Sequence, residues 1–173
     1  SAQASGSGAS KTLAEARAAV EAGQSETALI LGRQLLAENE RSVPALLVLA
    51  RANYHLGKID LATAIVGMVQ TIDEQNGEAQ LLLGLLSLAR PGSNPDGARI
   101  AATAAFKRAT ELDGNLGLAF YNLGAQYLLA KNYEQALLAT QRAAALMPGR
   151  SGVELSLAAA LRGVGRHAEA ADE

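Results

Sequence analysis

The stretch Asn122-Leu123-Gly124-Ala125-Gln126-Tyr127-Leu128-Leu129-Ala130-Lys131-Asn132-Tyr133-Glu134-Gln135-Ala136, with Pro148 beyond it, decides the fold. Gly124 and Ala136 are small residues where two antiparallel helices would cross closely, and Leu123 and Tyr127 would fill the space beside them. Pro148 has no N–H to give and so fits just past a helix end. One such stretch carries little weight alone. The rest of the chain repeats it.

In register with Ala136, small residues recur at Ala28, Ala62, Ala102 and Ala170, in steps of 34, 40, 34 and 34 residues. A second small position reads Ala16, Ala50, Gly84, Gly124 and Ala158. The turn between paired helices reads Gly23, Gly57, Lys131 and Gly165, with the third unit interrupted there. Helical spacing supports the same division without any repeat count. Leu13, Ala16, Ala19 and Val20 precede Gly23, and Ala28, Leu31, Leu35 and Leu36 follow it. Leu46, Leu49, Ala50 and Asn53 likewise run to Gly57, with Leu61, Ala62, Ile65, Val66 and Val69 beyond. Five units tile the chain: 9–42, 43–76, 77–116 with a six-residue insertion, 117–150, and a partial unit 151–173.

This pattern resembles the tetratricopeptide repeat, a helix–turn–helix unit of about 34 residues. The resemblance covers all but residues 1–8, and departs most at Glu40 and Glu74, which stand where the fourth unit has Pro148. It implies an all-α fold, a right-handed α-solenoid of five helix pairs with the last one truncated. Neither helix of a pair can bury its apolar face alone, so such arrays need about three or more units. Lys11 and Glu15 suit the first unit to a polar cap. The segment from His167 to Glu173 is too short to cap anything, which implies that the chain continues past Glu173 or that its last turns are disordered.

Composition agrees with helices and excludes several function classes. Hydrophobic residues make up 49% of 173, but aromatics only 3%, so Leu and Ala carry the core and strand-forming residues are sparse. A net charge of −2 gives no field to recruit nucleic acid or an anionic membrane. No apolar run reaches the ~18 residues of a membrane span. The absence of cysteine excludes disulfides and thiolate metal sites. Residues 1–8, Ser-Ala-Gln-Ala-Ser-Gly-Ser-Gly, have linker chemistry. They read as a flexible tether, either a non-native remnant or the link behind a signal peptide or lipid anchor. Beginning at Ser1 rather than Met, the chain reads as a processed or trimmed product.

No set of residues converges on chemistry. Two histidines, His55 and His167, lie more than three units apart, and no metalloprotease, phosphate-loop or nucleophile-elbow motif occurs. Gly163-Val164-Gly165 reads as a repeat turn rather than a dinucleotide loop, because no strand precedes it. His55 reads as a solvated histidine at a helix end. The chain is therefore expected to be non-enzymatic, without cofactor or metal. The insertion around Ala89–Gly97 carries its own signals: Pro91-Gly92 for a turn, Asn94 for a helix cap, Pro95 for the first helical position and Asp96 for the positive helix end. These predict about one extra turn on the second helix of the third unit. The insertion reads either as a tolerated surface loop or as a projecting feature for a partner.

The resemblance places function on a concave groove lined by the first helix of each pair. It implies the inward residues Leu13, Arg17, Val20 and Glu21; Leu47, Val48, Arg51, Tyr54 and His55; and Leu81, Leu82, Leu85, Leu88 and Ala89. The later units supply Leu118, Tyr121, Asn122, Ala125 and Leu128, then Leu155, Ser156, Ala159 and Arg162. Leu81-Leu82-Leu83 are expected to send at least one side chain out of the core. Family members that grip a C-terminal carboxylate of heat-shock chaperones use Lys, Asn and Arg. The corresponding positions here are Leu13 with Arg17, Val48, and Glu78 with Leu82, which does not fit. An apolar groove suits an amphipathic helix or an extended apolar segment of a protein or peptide partner, with Arg17, Arg51 and Asn122 setting its register. The function expected is an interaction scaffold for assembly of a multiprotein complex. By analogy with envelope lipoproteins of pilus or gliding machinery, the bacterial periplasm or outer membrane is preferred to the cytoplasm. The alternatives are a self-associating module, hence a homo-oligomer with its groove filled by its own chain or a copy, and a recruiting domain of a longer enzyme.

Overall fold

The protein is described here by a computed structural model covering residues 2–171, with side chains described over residues 8–166. Among the described residues the chain forms nine helices and no strand. They are α1 (Ala2–Glu21), α2 (Ser25–Glu38), α3 (Val43–His55), α4 (Ile59–Ile72), α5 (Gly77–Ala89), α6 (Pro95–Leu112), α7 (Gly117–Leu129), α8 (Tyr133–Leu146) and α9 (Ser151–Ala171). Successive helices pack as the pairs α1–α2, α3–α4, α5–α6 and α7–α8, and α9 closes the array against α7 and α8. First helices also touch one another directly, α1 with α3, α3 with α5 and α7 with α9.

Each pair is built around a close crossing. Ala28, Ala62, Ala102 and Ala136 of the second helices are fully buried, as are Ala16 and Ala50 of the first. Four residues beyond the second-helix alanine stand Gly32, Val66, Phe106 and Thr140, and their bulk varies against that of the facing residue. Phe106, the bulkiest, faces Gly84, where a Cβ would overlap the ring. Thr140 faces Gly124, whose Cβ would lie 2.7 Å from Thr140 Cγ2. Gly32 of α2 instead admits a side chain of the next pair: a Cβ there would lie 2.8 Å from Leu49 Cδ2 of α3. Such distances are well inside van der Waals contact, so side-chain volume at this crossing is shared between two positions.

The turns follow the same period. Gly23 and Gly57 adopt φ of 72° and 71°, and Lys131 adopts 58° at the equivalent position, a left-handed conformation that strains a residue with a Cβ. Second helices end at Asn39, Asp73, Asp113 and Met147, whose N–H groups donate to Leu35, Val69, Ala109 and Ala143 at 2.8–3.1 Å. Three residues later Ser42 and Asn76 cap the next helix, accepting from Ala45 N (3.3 Å) and Ala79 N (2.9 Å). Glu40 and Glu74 need no proline to stop the helix, because the preceding polar residue and this downstream cap already do so. Units are tied across their loops by equivalent arginines. Arg108 donates to Gln75 Oε1 at 3.0 Å and Arg142 to the Gly114 carbonyl at 2.9 Å.

The insertion lengthens α6 to 18 residues, against 14 in α2, α4 and α8. Asn94 caps it, its Oδ1 accepting from Asp96 N at 2.9 Å and Gly97 N at 3.1 Å.

Three expectations from the sequence are corrected. Residues 2–8 are helical, not an extended tether, since α1 begins at Ala2 and Thr12 Oγ1 donates to the Gly8 carbonyl at 3.0 Å. No proline interrupts this stretch, so the helix anchored by Ala16, Ala19 and Val20 propagates backwards through it. Second, no turn occurs at Gly165: α9 runs unbroken through Gly163 and Gly165. A Cβ at Gly163 would overlap the Tyr133 ring, so this glycine serves helix packing instead of chain reversal. The fifth unit therefore contributes one long helix. The side chains of Ala170 and of 167–173 lie outside the described residues. Third, Leu81 and Leu82 are 4% and 1% exposed and Leu83 is half-buried. Leu81 joins the core around Phe106 and Leu123, while Leu82 joins the one around Leu46 and Val66. Helix α5 lies between two pairs, so opposite sides of it are core.

Two substitutions test this account by urea denaturation. Gly84→Val is expected to destabilise the protein by about 1–3 kcal/mol through overpacking against Phe106. Lys131→Gly is expected to stabilise it by about 0.5–1 kcal/mol by relieving the left-handed strain, less the entropy cost of glycine.

Candidate functional site

The residues expected on the first-helix face divide by burial. Leu47 and Leu81 are only 6% and 4% exposed, and belong to the cores between pairs. They are removed from the candidate set, because each first helix is packed by its own partner and by the neighbouring pair. Leu85, Leu118, Tyr121, Asn122 and Leu128 are half-buried, and Leu88 is 39% exposed. Of the candidates on α5 and α7, Leu85, Leu88, Leu118, Tyr121 and Leu128 thus keep part of their apolar surface accessible. Arg17 and Arg162 are exposed on α1 and α9.

Several of the polar candidates already have internal partners. Arg51 Nη1 lies 3.3 Å from Glu78 Oε1, joining α3 to α5 with both side chains about three-quarters buried. Glu78 is thus a neutralised structural partner. Asn122 Nδ2 donates to the Leu118 carbonyl one turn earlier, at 2.7 Å. The Tyr121 hydroxyl lies close to Gly152 of α9, 3.4 Å from where a Cβ would stand. Arg17, Val20, Glu21, Pro44, Leu47, Val48, Arg51 and Glu78 enclose a small cavity of about 130 Å³. Tyr54 stacks obliquely on His55, with ring centroids 5.6 Å apart. Both line a shallow depression against Ala89 and Pro91 of the insertion. Desolvation, and then the Arg51 charge, hold His55 below its ordinary pKa of 6.5.

Sequence reasoning missed a cleft of about 640 Å³ between α6 and α7. Its walls are Asp96, Arg99, Ile100, Thr103, Ala104 and Lys107 of α6, with Gln126 and Ala130 from the end of α7. The signal was available in the repeat register. The position of Ile100 is acidic elsewhere (Glu26, Asp60, Glu134), and that of Gln126 is Ala or Leu elsewhere (Ala18, Ala52, Leu86, Ala160).

Among the described residues no group of three His, Cys, Asp or Glu side chains is placed to hold a metal. No described helix is long and apolar enough to cross a membrane. No family model matches the sequence, and no curated protein matches it. Solved structures do. A thermophilic tetratricopeptide-repeat protein of Thermus thermophilus, TTC0263, superposes with a TM-score of 0.74 at 21% identity, over 91% of this chain and 84% of that one. The fold is the tetratricopeptide-repeat fold. MamA is also similar, with a TM-score of 0.60 at 22% identity over 96% and 88% of the two chains. A chain in the structure of Naa15/Naa10 bound to HypK-THB matches with a TM-score of 0.66 at 18% identity, over 91% of this chain and 23% of that one.

The depressed His55 pKa has a direction that can be measured. The neutral ring is favoured in the fold, so the unfolded chain takes up a proton first as pH falls through 6.5. The wild-type urea midpoint is expected to drop between pH 7.5 and about 5.5, at ~25 °C, more steeply than that of His55→Gln. Equal slopes would remove this role for His55.

Proposed function

We propose that the protein is a non-enzymatic interaction scaffold that receives an apolar segment, helical or extended, of a partner protein on its first-helix face. The observation that carries this reading is the open apolar strip of Leu85, Leu88, Leu118, Tyr121 and Leu128, edged by exposed Arg17 and Arg162. Leucines left open on a face whose neighbours are packed into cores mark a contact surface. The arginines at its two ends are suited to hold acidic groups of a bound segment by charge-assisted hydrogen bonds. Assembly of a multiprotein complex, in its finer form an envelope, pilus or motility complex, is the setting in which such a face works. That finer form draws on the resemblance of the sequence to envelope scaffolds.

Self-association is a second reading with its own observation. Leu155 and Leu161 of α9 are 70% and 51% exposed at the end of the array, where a neighbouring copy has room to pack. Sedimentation across a dilution series separates the two: the scaffold reading expects a monomer, and an oligomer that resists dilution favours the second.

For the scaffold reading, the double variant Leu88→Glu with Arg17→Glu is expected to capture partners from native extract at least about tenfold less well than wild type. Both sites are exposed, so the thermal melt should be unchanged. Identical captured proteins in equal amounts would sink the first-helix assignment.

A further inference from the structure

Two residues of the α6–α7 cleft break the pattern of their repeat in opposite senses. At the outer position where the other units place Glu26, Asp60 and Glu134, the third unit places Ile100, and it is 72% exposed. At the position that is buried as Ala52, Leu86 and Ala160 and exposed as Ala18, the fourth unit places Gln126, and it is 8% exposed. The Gln126 Oε1 is buried with no hydrogen-bond partner among the described residues. An apolar side chain thus stands where three other units place an acidic one, and an unsatisfied amide oxygen where three other units bury an apolar side chain. Both lie in the wall of one cleft, which the extra turn of α6 lengthens. Neither departure serves the fold, since burying an unpaired amide is unfavourable and Leu86 shows that the position accepts a leucine.

The chemistry of the walls specifies an occupant. A carboxamide carries a donor and an acceptor side by side, as a peptide group does, so an extended main chain can satisfy both ends once the amide turns toward the cleft. A helical ligand has its internal N–H and C=O groups already bonded and lacks this match. Ile100, Ala104 and Ala130 give an apolar wall for an aliphatic side chain. Charge is unbalanced. Arg99 lies 3.5 Å from Asp96, whereas Lys107 has no ion-pair partner among the described residues. Lys107 also borders a smaller depression lined by Phe120, Tyr127 and Leu138, whose one carboxylate, Glu111, is paired with Arg108 at 3.6 Å.

We propose that this cleft is a second binding surface. It takes an extended peptide segment of a partner, with its main chain on the Gln126 amide, an aliphatic side chain on Ile100 and an acidic side chain on Lys107. The site is independent of the first-helix face and stands whether or not that face binds.

The test is selection of a phage-displayed random 12-residue peptide library against the whole chain, followed by affinity measurement on synthetic copies of the enriched peptides. Enriched sequences are expected to carry an acidic residue near an aliphatic one. Their binding should fall about tenfold or more in Gln126→Leu and in Lys107→Glu, and stay unchanged in Leu88→Glu with Arg17→Glu. Selection on Lys107→Glu should enrich basic peptides instead. Gln126→Leu should raise the melting temperature by about 2–4 °C while weakening binding, a combination that a merely structural glutamine does not produce. No enrichment, or enriched peptides indifferent to Gln126→Leu and Lys107→Glu, overturns the proposal. So do peptides that bind as helices, or a Gln126→Leu variant that melts lower than wild type. Peptides lost only in the first-helix variant overturn it too, while leaving the first-helix reading intact.

Discussion

The structure depends on the close crossing within each helix pair. Where Gly84 meets Phe106, and Gly124 meets Thr140, one helix gives up its side chain so that the other can place one at the axis of contact. Close-packed interiors do not tolerate bulk on both sides of such a crossing, nor a void when both are small. The fully buried alanines at 28, 62, 102 and 136 hold the second half of the same contact. Spacing of these residues along the chain is therefore a spacing of contacts in space. It sets the unit length, the turn positions and the inclination at which each pair is presented to the next.

Stacking then decides which surfaces are left over. A first helix is packed by its own partner and by the neighbouring pair, so α5 buries Leu81 on one side and Leu82 on the other. Much of the leucine content that looks surplus on a single helix is consumed in this way. Arg51 is drawn into the same packing through Glu78, and Asn122 through its own helix backbone. Fewer of the first-helix leucines stay accessible, Leu88, Leu118 and Leu128 among them, than their count implies.

The array is regular enough that its irregularities carry information. One insertion lengthens α6 by a turn, and within reach of that turn an exposed isoleucine and a buried, unpaired glutamine replace the residues that the other units use. Departures that strengthen packing have a structural reason, as Gly163 has in admitting the Tyr133 ring. Departures that weaken it, together and in one cleft, point to recognition instead.

Periodicity alone determined the all-helical class, the extra turn of α6 and the chain reversals at Gly23 and Gly57. Each of these rests on local steric rules: small residues at close crossings, left-handed φ after a helix, Asn and Pro at a helix start. Only the tertiary structure decided that α9 continues through Gly165, with the Tyr133 ring packed against the helix at Gly163. It also decided that Leu47 and Leu81 are core while Leu88 is not, and that Gln126 is buried without a partner. A helix shows its own period in sequence, but not how many neighbours enclose it. Burial is set by those neighbours, which come from other helices of the chain, as Phe106 of α6 does for Leu81 of α5.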